Sequence, residues 1–197
     1  MRFDEYYLTE SAGTFYHGSP YSFDRFDMNK VGTGDGLNKY GFGLYFADNK
    51  DLAAYYATEN FLSKNKKHSG MNMYEVKIRG LEDFYPWDES IPEHIYMNIA
   101  DRLQQNGYED DAQTMRDELD GYNETWTMDQ TYSILRDTIG GDKQASEFLY
   151  GLGVNGVISD DIQGRGKIFV AFSDEIVKMI RSWRLGEEDN EIWWALF

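Results

Sequence analysis

Residues 15–56 constrain this chain more than any other stretch: they open on FYHGSP and close on YGFGLYFADNKDLAAYY. One histidine, recurring glycines and aromatic rings occupy positions where an ordinary core would carry aliphatic side chains. Glycine lets a backbone approach its partner closely, and flat rings offer stacking faces. Such a stretch fits a slot for a flat, amide-bearing ring and a ribose. Its candidate contacts are His17, Gly18 and Ser19, then Gly43, Tyr45 and Ala47, followed by Ala53 and Tyr56. Taken singly, a histidine beside Gly-Ser-Pro suits a turn, and a Tyr-Phe pair on a strand suits a core. Their occurrence together points to binding.

Composition narrows the chemistry. The chain has no cysteine, which excludes disulfides, thiolate nucleophiles and Cys-ligated metals. His17, His68 and His94 are too scattered for a metal site, so no metal is expected. Nineteen Lys+Arg against 35 Asp+Glu give a formal charge of −16, which repels phosphate backbones. A protein target is therefore favoured, and nucleic acid is disfavoured, with Lys64-Asn65-Lys66-Lys67 the only basic run. No apolar run approaches the roughly 18 residues a membrane helix needs. The opening MRFDEYYLTE lacks the order of a secretion signal, so a cytoplasmic protein that does not engage membranes is expected. Oligomeric state is open.

The pattern of elements is that of one mixed domain over 1–197. Strands are predicted over 14–17, ended by Gly18-Ser19-Pro20, and over 44–47, 73–78, 156–158, 167–172 and 177–180. Phe23 and Phe26 suit a loop pinned by two aromatics, and 33–36 is a turn cluster. Asp48-Asn49 can cap a helix beginning near Asp51. The polar, Lys-rich residues 57–72 read as an exposed loop. Residues 88–150 read as a helical insertion. Ile91, Ile95, Ile99 and Leu103 form one apolar face, and Met128, Tyr132, Leu135 and Ile139 another. Gly140-Gly141 stops that helix, and Asp142 can cap the next. The tail 186–197 is acidic, then aromatic, and is expected to dock back on the fold or to meet a partner.

FYHGSPYSFDRF, GTGDG and YGFGLYFADNKDLAAYY together resemble the NAD-binding half of the ADP-ribosyltransferases related to diphtheria toxin and the poly(ADP-ribose) polymerases. MYEVKI, DFYPWDESIPE and KIFVAF, in the same order, are similar to ADP-ribosyltransferase domains of phage and mobile-element polyvalent proteins. The resemblance covers roughly residues 14–180. It implies an α+β fold, a split β-sandwich of two antiparallel sheets around an NAD cleft with a helical insertion. It also implies NAD as co-substrate. Gly18 would hold the carboxamide through its backbone, and His17 a hydroxyl of the adenosine ribose, with Ser19 a donor or acceptor beside it. Tyr45 would lie on the nicotinamide face, and Tyr56 would close the other side. Gly34, in GTGDG, would flank the pyrophosphate. Ala53 stands where many relatives carry a serine to the carboxamide, so one hydrogen bond is missing.

The third motif departs from the family. There a glutamate precedes the strand and stabilises developing positive charge on the ribose. Aligning Phe169-Val170-Ala171-Phe172 with that strand puts Ile168 at the glutamate position. The resemblance then implies single-unit transfer, with a carboxylate borrowed from the acceptor. Asp160, Asp161 or Gln163 is an alternative source, Asp161 being the first choice. Arg165 and Lys167 fit either phosphate contact or plain surface charge. The leading reading is a mono-ADP-ribosyltransferase of phage, mobile-element or effector origin, acting on host machinery as an anti-defence protein or a toxin. An NAD glycohydrolase, a nucleic-acid ADP-ribosyltransferase and an inactive NAD- or partner-binding module are the alternatives.

Overall fold

A computed structural model describes residues 13–32, 38–62, 71–122 and 124–185. The turn cluster at 33–36, with Gly34, and the tail 186–197 lie outside the described residues. Seven strands form one hydrogen-bonded sheet: β1 (Thr14–Ser19), β2 (Leu44–Ala47), β3 (Asn72–Ile78), β4 (Phe84–Pro86), β5 (Gly156–Asp160), β6 (Lys167–Ala171) and β7 (Val177–Arg184). Their order is β4-β5-β6-β2-β1-β3-β7, and every pairing except β4 with β5 is antiparallel. The mixed α+β class is as the sequence implies. The two halves, β4-β5-β6-β2 and β1-β3-β7, are joined through β1 and β2 at a single residue pair, Tyr16 opposite Ala47.

Among the described residues, five α-helices accompany the sheet: α1 (Lys50–Leu62), α2 (Glu93–Gln105), α3 (Glu109–Tyr122), α4 (Met128–Ile139) and α5 (Asp142–Tyr150). Strand side chains alternate between two buried clusters, as the pleat requires. The larger cluster combines Ala47, Met73, Ile168 and Val170 with side chains from all five helices; the smaller holds Phe15, Phe46, Val76, Ile78 and Ala171. The apolar stripes on 91–103 and 128–139 face the larger one.

Several boundaries differ from the sequence reading, each for a tertiary reason. Strand β1 runs on through Gly18 and Ser19 because β3 pairs with all six of its residues. Helix α1 reaches Leu62, into the stretch read as a loop, and its Ala57 is fully buried. Asn49 caps that helix, its Oδ1 accepting from the Leu52 amide at 2.9 Å. Helix α5 is preceded by Gly141, with Asp142 its first helical residue and not its capping side chain. Thr127 and Gln130 form a reciprocal capping box on α4, and Gly140 closes that helix at φ +101°.

The helical insertion is bolted to the glycine-rich rim. The Tyr132 hydroxyl accepts from the Phe42 amide at 2.8 Å and donates to the Asp142 carbonyl at 2.7 Å. Ser146 Oγ donates to the Phe42 carbonyl at 2.6 Å. Gly41 stands at φ +94°, and a Cβ there would meet the Tyr132 ring at 2.8 Å. Tyr132→Phe strands the Phe42 amide and is expected to destabilise the fold by about 1–3 kcal/mol in urea titration.

Candidate functional site

His17, Gly18 and the backbone of Tyr45 meet at the split between the half-sheets. Strand β1 pairs with β3 along its whole length but with β2 only at Tyr16. Beyond Tyr16, the edge of His17, Gly18 and Ser19 that faces β2 therefore has no strand partner among the described residues. Alternate residues of an antiparallel strand send both N–H and C=O to one side. That open edge consequently offers backbone donors and acceptors together, the complement of a carboxamide.

His17 spans the split. Its Nδ1 lies 2.8 Å from the Tyr45 carbonyl oxygen, which places the proton on Nδ1 and leaves Nε2 as an acceptor. Aromatic rings surround the imidazole: Phe26 at 5.3 Å, Phe23 and Phe46 at 6.0 Å, and Tyr74 at 6.1 Å. Burial in this cage lowers the imidazole pKa, partly opposed by the bond to the Tyr45 carbonyl. The ring is thus held neutral. Phe23 stacks on Tyr74 at 4.1 Å and 8°, and its amide donates to the Tyr74 hydroxyl at 3.0 Å. This pins the loop over 23–26, as the two phenylalanines foretold. Tyr74 itself was readable from the alternation of MYEVKI, which sets it on the face of Val76.

Gly18 lies under α1, where a Cβ would overlap the Ala53 carbonyl oxygen and stand 2.7 Å from Ala57 Cβ. Gly18 and Ala53 are therefore in direct contact. Ser19 is buried, and its hydroxyl accepts from the Tyr21 amide at 3.1 Å, forming a turn instead of reaching His17. Gly43 is pressed on β6, where a Cβ would stand 2.6 Å from both the Ala171 carbonyl oxygen and Val170 Cγ1. Packing already accounts for that glycine.

The two tyrosines differ in setting. Tyr45 packs against the larger cluster, its hydroxyl accepting from the Tyr40 amide at 2.9 Å and donating to the Gly41 carbonyl at 2.8 Å. Burial raises its pKa and keeps the phenol protonated. Its hydroxyl ties down the rim between the glycines. Tyr56, on α1, is partly exposed and donates to Asp161 Oδ1 at 3.0 Å. Burial, and then that bond, push its pKa up to about 12.

Ile168 stands opposite Ala47 in the β2–β6 register, beside Tyr45, and is 5% exposed. Strand β6, with the sequence KIFVA, carries no carboxylate at all. Asp161, the alternative source, is saturated. Its side chain is 1% exposed; Arg165 Nε donates to Oδ2 at 2.8 Å, Arg165 Nη2 to Oδ1 at 2.9 Å, and the Gln163 amide to Oδ2 at 3.0 Å. The guanidinium holds this carboxyl well below the usual carboxylate range. Asp160 pairs with Lys167 at 3.3 Å on the surface. Arg165, read as a phosphate contact or a surface cation, spends its guanidinium on Asp161. Among the described residues, no group of three or more His, Cys, Asp or Glu is placed to hold a metal ion. No helix among them is long and apolar enough to cross a membrane.

Compared with known proteins, the chain matches the family described as ADP-ribosyltransferase in polyvalent proteins over residues 12–183. The chain belongs to that family. No curated protein and no solved structure matches it. The matched span takes in the open β1 edge, the His17 cage and Ile168. Members use NAD as the substrate from which ADP-ribose is taken.

A neutral His17 in the fold has a definite consequence. The unfolded chain takes up a proton near pH 6.5, while the native imidazole resists until its lower pKa is reached. Stability is therefore full above about pH 6.5 and falls as pH drops below it. Thermal melting between pH 7.5 and 5.5 should show this loss, and His17→Gln should flatten the profile.

Proposed function

We propose that the protein transfers a single ADP-ribose unit from NAD to a protein acceptor that supplies the carboxylate missing from the enzyme. The observation that carries this reading is Ile168: at the place of the family's glutamate the chain has a buried aliphatic group, and the adjacent acid, Asp161, is fully engaged. NAD would lie in the split, its carboxamide on the Gly18 edge, its nicotinamide ring against Tyr56, and a ribose hydroxyl on His17 Nε2. The bond between the nicotinamide nitrogen and ribose C1′ breaks, and the nitrogen leaves with the electron pair. A nucleophilic side chain of the acceptor bonds to C1′ and loses its proton to a carboxylate beside it on the acceptor.

Without a carboxylate to activate a ribose hydroxyl, a second unit is not added. The net charge of −16 favours a basic protein surface over a phosphate backbone as the acceptor. A role against host machinery, in a phage or mobile element, is in keeping with the family's polyvalent proteins.

Incubation with adenylate-labelled NAD and host lysate tests the reading. Labelled protein with one ADP-ribose per modified site, and nicotinamide released in step with it, is expected. Label in nucleic acid, free ADP-ribose without labelled protein, or chains of several units would each contradict it. Ile168→Val, which keeps the packing, should leave the transfer rate within about twofold.

A further inference from the structure

We propose that Asp161 and Arg165 are positioning residues that hold the ring of Tyr56 ready for the nicotinamide end of NAD. This rests on the donor-site reading above and adds to it the device that fixes one wall of the slot.

The loop between β5 and β6, DIQGRG, folds inward around a single carboxylate. Its ends are closed by the Asp161 amide donating to the Gly166 carbonyl and the Gly164 amide to the Asp161 carbonyl, both at 2.8 Å. Asp161 then receives both guanidinium donors of Arg165, the Gln163 amide and the Tyr56 hydroxyl, 105 residues away in sequence. A planar guanidinium matches a carboxylate bidentately, and such charge-assisted bonds are about twice as strong as neutral ones. The same guanidinium lies 3.5 Å from the centre of the Tyr55 ring, and Tyr55 meets Tyr56 edge-on at 5.6 Å. Tyr56 is thus held at its hydroxyl by Asp161 and at its ring by Tyr55, while the rest of it stays open.

The latch is fastened to the helix it serves. Asn49, the cap of α1, donates from Nδ2 to the Arg165 carbonyl at 3.0 Å, and the Asp48 amide donates to the Lys167 carbonyl at 3.1 Å. A Cβ at Gly166 would meet Asp48 Oδ1 at 2.4 Å and Asn49 Nδ2 within the same space, so the loop can only seat with glycine there. Loop and helix are tied together by these bonds, and α1 is also the helix that covers Gly18. A tyrosine on a helix surface otherwise samples several rotamers, and an ordered wall spares the ligand that ordering cost. Asp161 acts through Tyr56. With every oxygen engaged and its charge spent on Arg165, it is not the acid that the sequence offered in place of the family glutamate.

The test uses the full chain and two readouts. The first needs no ligand: the carbon resonance of the Tyr56 phenol is followed against pH. In the wild type it should titrate near 12, and in Asp161→Asn it should move down part of the way towards the ordinary value of about 10, since burial, the larger cause, remains. The second is NAD affinity by fluorescence titration, together with kcat and KM for transfer. Asp161→Asn and Tyr56→Phe should each weaken NAD binding about fivefold to twentyfold. The double variant should be no weaker than either single, and kcat should change less than threefold. Tyr56→Phe retains the ring and its packing, so it reads the latch without disturbing the fold.

A wild-type Tyr56 that titrates near 10 would overturn the latch while leaving the donor site standing. Unchanged NAD affinity in Asp161→Asn would do the same. A hundredfold loss of kcat at constant affinity would return Asp161 to the chemistry and overturn the positioning role. A wild type that shows the raised Tyr56 titration but binds no NAD would overturn the donor-site reading itself, and the proposal with it.

Discussion

One hydrogen bond and one strand pair hold the architecture of the site: His17 Nδ1 to the Tyr45 carbonyl, beside the lone register pair of Tyr16 with Ala47. Seven strands could close into a continuous surface, but β1 and β2 part after that pair, and an unpaired backbone edge is normally costly or hazardous. A fold keeps such an edge only where something else satisfies it. Here the imidazole bridges the gap, and Gly18, having no side chain, lets α1 pack directly on β1. The aromatic cage around His17 is a consequence, since a buried imidazole must be neutral and oriented to serve as a bridge.

The helices have a second task beyond burying apolar surface. Tyr132 and Ser146 reach from α4 and α5 to both polar groups of Phe42, and Tyr45 holds the preceding turn from below. The rim between Gly41 and Gly43 is therefore positioned by an insertion that lies far from it in sequence. On the other side of the split, the loop over 161–166 is fixed to the start of α1. Both sides of the split are thereby tied to helices by hydrogen bonds.

Much of this was legible in the chain because the informative residues are local. The strand LYFA is found where it was expected, directly after the glycines that bracket Phe42, and the helix begins at the Asn49 cap. Strand β4 was not legible: FYP is three residues long, ends in proline and is held only by its parallel pairing with β5. Helix α3 falls within the stretch read as a helical insertion, but its buried face was not legible, because EDDAQTMRDELDGY is so acidic that Ala112 and Met115 do not stand out. The fate of Asp161 could not be read at all. A carboxylate in a glycine-rich loop looks available until the fold brings Tyr56 and Arg165 to it. Ser19 and Gly43 carry the motif's letters but are occupied by a turn and by β6.

These parts come together if, as proposed, the nicotinamide half of NAD lies in the split, between the Gly18 edge and Tyr56, with a ribose at His17. Intermolecular NOE measurements on labelled protein with a non-cleavable NAD analogue address that claim most directly. Contacts from the nicotinamide ring protons to the Gly18 amide and the Tyr56 ring, and from a ribose to His17, are expected. Contacts confined to the helices of 93–150, or to the open cavity beside Arg25 and Asp174, would contradict it.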